Sequence, residues 1–239
     1  MDEEPVALQV NGIAHAVMLA TPLDLEDFAL GFLLTEGLIE AATDLLDVTV
    51  EPGAQGTVLQ LQVTARCEAR FRERRRTLAG RTGCGLCGVE SLDQLEPAVA
   101  PVPQGMRIDL IALTRAMAYL AARQPLQHLT GAVHAAAWCN VQGEPQIVRE
   151  DVGRHNALDK LVGAMARAHA NAATGFIVVT SRASYEMVQK TATLGIRMLV
   201  AVSAPTALGV QLARDCGVTL VGFARETQQV VYSHAARLV

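Results

Sequence analysis

The chain's 239 residues suit one large domain or a domain and a half, and at 51% hydrophobic and 18% charged they can build a real core, which excludes a disordered chain. A net charge of −4 excludes a general nucleic-acid binder, and no apolar run is long enough to span a bilayer. The acidic start, Met1-Asp2-Glu3-Glu4, has no signal-peptide character, and five cysteines are an odd number, so reduced thiols in the cytoplasm are expected rather than a disulfide framework.

Residues 5–20 predict a hairpin. Val6, Leu8 and Val10 alternate, Asn11-Gly12 is a strong turn signal, and 13–19 return as a strand. Thr21-Pro22 precedes a helix over 25–35 that ends near Gly37. Two more strands are expected at 48–50 and 58–63. An arginine-dense run follows, holding Arg66, Arg70, Arg72, Arg74, Arg75, Arg76 and Arg81 against only Glu68 and Glu73. Arginine is the side chain suited to phosphate. The run leads into Gly83-Cys84-Gly85-Leu86-Cys87-Gly88, and a proline-containing connector at 97–103 closes this part. The expected division is therefore a smaller α+β subdomain at 1–100 and an α/β domain at 101–239.

The second part opens with a helix over 109–123, apolar at Leu110, Leu113, Met117 and Leu120. Residues 132–140 and 146–148 predict a hairpin about Gly143, and 155–169 a helix. Apolar strands at 176–180, 198–202 and 218–223 then alternate with helices at 184–194 and 206–216, which implies right-handed crossovers and parallel pairing. Ligands of open α/β sheets bind beyond the carboxyl ends of the strands. Those ends carry Ser181-Arg182, Ser203-Ala204-Pro205 and Gly222-Phe223-Ala224-Arg225, a set suited to an anionic ligand.

The Cys84/Cys87 pair has several readings. A structural zinc knuckle needs four ligands, and the chain has no second CxxC. A thioredoxin-like redox pair opens a helix after a strand, which the flanking glycines oppose. A persulfide carrier needs an accessible, nucleophilic cysteine, and the glycines and neighbouring arginines favour that reading. The segment from Glu150 to Lys160 is dense in ionisable groups. It reads equally as a site or as an ordinary helix start, with Asp151 as a cap and Asp159 and Lys160 paired on a solvated face. Lys160 and Lys190 are the two lysines among 20 basic residues, and both fall in such motifs. In Thr180-Ser181-Arg182-Ala183-Ser184-Tyr185-Glu186, Ser184 reads as an N-cap, whereas Arg182 beside a helix N-terminus asks for an anion. His134 reads as a hydrogen-bonded core histidine, and Trp138, Cys139 and Cys216 as packing.

Taken together these motifs resemble the FdhD family of formate dehydrogenase accessory sulfurtransferases. The resemblance runs through nearly the whole chain. It includes Phe28-Ala29-Leu30-Gly31-Phe32-Leu33 with Thr35-Glu36-Gly37, Arg74-Arg75-Arg76, the Gly83–Gly88 loop, and Thr130-Gly131 with His134-Ala135-Ala136. It continues through the Glu150–Lys160 segment, residues 181–190, Ser203-Ala204-Pro205 and Leu220-Val221-Gly222-Phe223. The resemblance implies a protein that takes persulfide sulfur from a cysteine desulfurase and passes it to the Mo-bis(molybdopterin guanine dinucleotide) cofactor, bound as substrate, for use by formate dehydrogenase. Cys84 matches the persulfide-bearing position and Cys87 its partner. Phe223, Ala224, Arg225, Glu226, Thr227 and Gln228 match the cofactor-binding segment. Arg182, Ser181 and Ser203 are expected to join them around a phosphate or guanine group.

The resemblance further implies a cytidine-deaminase-like three-layer domain with a mixed sheet, and a homodimer is expected because the cofactor carries two guanine nucleotides. A zinc deaminase needs H-x-E and P-C-x-x-C. At the comparable points this chain has His155-Asn156-Ala157 and Ser181-Arg182-Ala183-Ser184, so neither a metal of its own nor deamination is expected. The competing readings are a zinc-dependent deaminase relative, and a chaperone that holds cofactor or apo-enzyme without moving sulfur. No nucleic-acid or membrane partner is expected.

Overall fold

The computed structural model describes residues 2–68, 70–71, 99–225 and 228–239. Strands β1 (Glu4–Val10) and β2 (Ile13–Ala20) form the expected hairpin. Asn11 and Gly12 both take positive φ, 47° and 77°, as a tight two-residue turn between twisted strands requires. The Asn11 amide also clamps this turn to the next hairpin, since Val63 N–H donates to Asn11 Oδ1 at 2.9 Å. Strands β3 (Leu45–Gly53) and β4 (Gly56–Val63) complete a four-stranded sheet of order β2-β1-β4-β3, in which β1 and β4 run parallel. Residues 65–68 and 70–71 are helical, and Cys67 and Phe71 join the core beneath this sheet.

Helix α1 (Leu25–Thr35) is buried almost all round, the mark of a helix packed on both sides. Phe28, Phe32 and Leu33 cover Val6, Leu8, Leu59 and Leu61 of the sheet. The opposite side lies against helix α4 (Arg154–Arg167), and two glycines set that distance. A β-carbon on Gly31 would fall 1.7 Å from Asp159 O, and one on Gly163 would fall 1.9 Å from Asp27 O. The backbones touch because neither residue has a side chain.

The second sheet has six strands in the order β10-β9-β8-β7-β5-β6. They are β5 (His134–Asn140), β6 (Pro145–Asp151), β7 (Gly175–Val179), β8 (Met198–Ala201), β9 (Thr219–Arg225) and β10 (Gln228–Val231). As the alternating pattern predicts, β7, β8 and β9 pair in parallel. The sheet is mixed because β5, β6 and β10 pair antiparallel. All five residues of β7 are buried, the continuous apolar run of a strand covered on both faces. Phe176 and Val178 face helix α2 (Leu110–Ala121), together with Ala135, Ala137 and Val200. Ile177 and Val179 face α4, α5 (Tyr185–Thr193) and α6 (Ala207–Cys216). The three-layer α/β arrangement with a mixed sheet is therefore present, and a smaller sheet is joined to it through α1. Between α2 and β5 lies a short helix, α3 (Pro125–Thr130), that periodicity does not predict.

Candidate functional site

The carboxyl ends of the three parallel strands are tied into one edge. Val202 N–H donates to Val179 O at 3.0 Å, Thr206 N–H to Ala183 O at 3.0 Å, and Phe223 N–H to Ser203 O at 3.2 Å. A bridge pairs Ala183 with Pro205. Gly222 is needed at this edge, since a β-carbon there would meet Pro205 Cδ at 2.7 Å. Of the residues expected at the edge, Arg182 and Arg225 are exposed and Ser203 is half-buried. Ser181 is buried and its hydroxyl donates to Arg182 O at 3.0 Å, so it shapes the turn. Phe223 takes φ 51° and leaves its ring 42% exposed, while Ala224 turns inward. Gln228 opens β10, and Glu226 and Thr227 lie outside the described residues, as do Cys84 and Cys87.

On the α2 side of this edge opens a cavity of about 800 Å³. Met117, Leu120, Val133, Val202 and Ala224 give it apolar walls, and Gln124, Gln127, His134, Thr180 and Arg225 place polar groups around them. That size and mixture are typical of a pocket for a small molecule or cofactor. Helix α3 forms one wall and is held from a distance. Both Glu150 carboxylate oxygens accept from its first turn, Leu126 N–H at 3.0 Å and Gln127 N–H at 2.9 Å. Gln127 Oε1 in turn accepts Val133 N–H at 3.1 Å. Glu150, one of the polar residues singled out in the sequence, acts here as a remote helix cap.

His134 corrects its expected place. It is half-buried and lines the cavity as the first residue of β5, rather than sitting in the core. Partial burial lowers its pKa, and the positive fields of Arg154 and His155 lower it further. Through His134 the cavity adjoins a second polar group at the N-termini of α4 and α5. His155 Nε2 lies 2.8 Å from Glu186 Oε2. Arg154 Nε and Ser184 Oγ are buried without a hydrogen-bond partner, and polar atoms of that kind are what a bound group would satisfy. Ser184 is the N-cap of α5, as its position predicts, yet its hydroxyl makes no capping bond. Among the described residues no three His, Cys, Asp or Glu side chains are grouped to hold a metal ion.

The remaining polar residues of the two dense motifs are framework, and they are not solvated. Asp151 and Lys160 are fully buried and paired at 2.6 Å. Asp151 also accepts from Thr21 N–H, Gly153 N–H and Asn156 Nδ2, while Lys160 donates to Thr21 O. Asp159 is buried as well and meets Lys190 at 2.9 Å. Lys190 also reaches Glu36 Oε1 and Thr35 Oγ1, each at 2.9 Å. Burial works against the Lys190 charge, but the Asp159 and Glu36 carboxylates outweigh it and hold the ammonium above its ordinary value. These contacts fasten α1 and the end of β2 to the helices whose N-termini frame the site. Sequence reasoning missed Gln124 and Gln127 as cavity residues. The available signal was Pro125 at a helix start and Gly131, at φ 65°, at its stop.

Across residues 1–239 the chain matches the model of the FdhD/NarQ family. It is 56% identical over 236 residues to the sulfur carrier protein FdhD of Variovorax paradoxus (strain S110), covering 99% of this chain and 85% of that one. The protein of the same name from Bordetella bronchiseptica is 54% identical over 237 residues, covering 99% and 86%. A crystal structure from Desulfotalea psychrophila, described as that of a formate dehydrogenase accessory protein, superposes with TM-score 0.78 at 25% identity. The superposition covers 100% of this chain and 90% of that one. By sequence and by fold, the chain belongs to the FdhD/NarQ family.

Proposed function

We infer that this chain carries sulfur as a persulfide on Cys84, taking it from a cysteine desulfurase and delivering it to the Mo-bis(molybdopterin guanine dinucleotide) cofactor in support of formate dehydrogenase. The observation that carries this reading is the cavity at the strand ends. It has the size for a nucleotide, has Arg225 on its wall, and sits in a chain that keeps the Cys84/Cys87 pair and is similar throughout to sulfur carriers. Guanine or ribose suits its apolar and amide walls, and phosphate suits Arg225 and Arg182. Ala224 lines the cavity itself, and Ser203 and Phe223 stand on the same strand-end edge, joined by the bond from Phe223 N–H to Ser203 O.

In the first step the Cys84 thiolate attacks the outer sulfur of the desulfurase persulfide. The S–S bond of the donor breaks, the desulfurase leaves as a thiolate, and Cys84 holds the sulfane sulfur. Delivery as sulfide needs two electrons. Attack of the Cys87 thiolate on the inner sulfur supplies them, releasing hydrosulfide and closing a Cys84–Cys87 disulfide that a thiol reductant reopens. Positive charge near a cysteine pair favours the thiolate, and Arg74-Arg75-Arg76 and Arg81 lie near this pair in sequence. The setting is the cytoplasm, and the two guanine nucleotides of one cofactor suit a two-fold dimer.

The test is direct. Incubated with desulfurase and cysteine, the wild type should gain a one-sulfur mass adduct that Cys84→Ala lacks. An undiminished adduct in Cys84→Ala moves the carrier role elsewhere, and full formate dehydrogenase activation by Cys84→Ala favours the chaperone reading. For the cavity, GDP should bind the wild type more tightly than Arg225→Ala, and equal affinities would remove the nucleotide from it.

A further inference from the structure

At the amino edge of the large sheet, six residue steps of about 3.3 Å along β9 from Arg225, lies a second and smaller cavity of about 230 Å³. Arg237 is among its lining residues and is only 7% exposed. The Arg237 guanidinium donates through Nε to Gly105 O at 3.2 Å, and through Nη1 to Gly217 O at 2.7 Å and Thr219 Oγ1 at 3.0 Å. These acceptors are all neutral, and Nη2 is not used by them. Arg107 lines the same cavity, and Arg197 stands close enough that, after burial itself, its charge is what lowers the Arg237 pKa. Among the described residues no carboxylate pairs with Arg107, Arg197 or Arg237.

A buried guanidinium with a second cation nearby, and with no carboxylate paired to it among the described residues, is unfavourable unless something else neutralises it. The walls are held in costly conformations too. Met106 and His234, both lining residues, take φ 63° and 48°, beside Gly105 at 97°. Non-glycine residues in that region persist where the surroundings over-determine them, and such positions cluster at ligand clamps. Here Ser233 Oγ donates to Val218 O at 2.6 Å and accepts Leu220 N–H at 3.0 Å, and His234 Nε2 bonds Arg214 O at 3.0 Å.

The geometry points to a small-oxyanion site of the phosphate class at Arg237, built with Arg107 and Arg197 and separate from the nucleotide cavity. A tetrahedral oxyanion presents acceptors to Nη2 of Arg237 and to Arg107 while supplying the missing negative charge. The oxyanion could arrive free or as the phosphate end of a nucleotide.

Inorganic phosphate, sulfate and GMP are titrated separately into the full chain by calorimetry, against chloride at matched ionic strength. Phosphate should bind saturably, and Arg107→Ala and Arg197→Gln should each weaken it roughly tenfold or more, the loss expected for one charge-assisted contact. Arg237→Gln should abolish it. Because that variant also loses two carbonyl tethers that hold the fold, the decision rests on the other two. GMP competition lost in Arg107→Ala would identify a nucleotide phosphate as the ligand, whereas phosphate binding with no such competition would identify a free oxyanion. No saturable phosphate binding, or binding equal in wild type, Arg107→Ala and Arg197→Gln, overturns the assignment. Binding lost only in Arg225→Ala also overturns it, since the anion would then belong to the nucleotide cavity.

Discussion

The close crossing of α1 and α4 gives the sharpest stability prediction. In Gly31→Ala the new β-carbon would fall 1.7 Å from Asp159 O and 2.8 Å from Gly163 N, both backbone atoms of α4. Ordinary contact begins near 3.4 Å, so α1 must retreat by about 1.7 Å along that line. No side-chain rotation can absorb the clash. A retreat of that size stretches the Thr35–Asp159 hydrogen bond, now 2.7 Å, and the Lys190–Glu36 pair, now 2.9 Å, beyond bonding distance. Overpacking alone costs about 1–3 kcal/mol, and a lost bond to a charged group adds about 1.5–3 kcal/mol. We expect a loss of about 3–5 kcal/mol, which lowers Tm by roughly 10 °C for a chain of this size. Urea and thermal unfolding followed through Trp138, the single tryptophan and a buried one, would measure it. Gly37→Ala is the control. That residue has φ 65° and open space around it, so only backbone strain of about 1 kcal/mol is added. A Gly31→Ala protein that melts with the wild type, or above Gly37→Ala, would refute the packing argument.

Removing either partner of the Asp151–Lys160 pair should have unequal effects. Asp151→Ala leaves a buried ammonium with the Thr21 carbonyl as its remaining partner and should cost about 3–5 kcal/mol in urea unfolding, whereas in Lys160→Met three N–H donors still serve the carboxylate. Equal losses would contradict this. Asp44 governs part of the acid response. Burial raises its pKa, but Arg66 and the N–H groups of Ala41 and Glu40 outweigh that and hold the carboxyl at about 2. Its contribution is therefore present above the unfolded value of about 3.9 and disappears as pH falls toward 2. Asp44→Asn should flatten that limb of a Tm-versus-pH curve, and an unchanged limb would refute the assignment. Glu150→Ala frees two N–H groups of α3 and should cost about 1 kcal/mol. It should weaken GDP binding while leaving persulfide loading intact, and unchanged GDP affinity would remove α3 from the binding wall.

What was legible in the sequence was whatever a short stretch of chain decides for itself. The Asn11-Gly12 hairpin and the helix over 25–35 appear as expected, because turn chemistry and apolar spacing are local signals. The parallel strands β7 to β9 were legible for the same reason, and they fixed the edge on which the candidate site stands. Helix α3 was not. Its six residues carry no apolar stripe, and its cap comes from Glu150, which is 24 positions away from Leu126. Strand β10 was missed because it begins inside a polar segment and exists through pairing with β9. His134 was misplaced because an apolar strand says nothing about which of its ends reaches a cavity. Asp159 and Lys160 read equally as site residues or as solvated helix charges, and their burial was not legible because it follows from where α1 and the end of β2 pack.

The two lysines do give a signal in retrospect. The chain has 20 lysines and arginines, and its only lysines are both buried, Lys160 at 0% and Lys190 at 6% exposure. Everywhere else arginine serves. The difference is geometric. Lys190 sends three tetrahedral donors to Thr35, Glu36 and Asp159 and lies 5.6 Å from the centre of the Phe32 ring. A planar guanidinium is larger and presents its donors as a fork, so it does not fit between three oxygens converging on one point. Lys190 therefore marks where α1 is bolted to α4 and α5, and Lys160 where the end of β2 is tied to α4 through Thr21 O. Both helices begin at the polar group next to the cavity, with Arg154 and His155 on one and Ser184 and Glu186 on the other. The bolts lie within about two turns of those N-termini, so the charge that α1 contributes through Glu36 and the placement of His155 against Glu186 are set by the same packed interface.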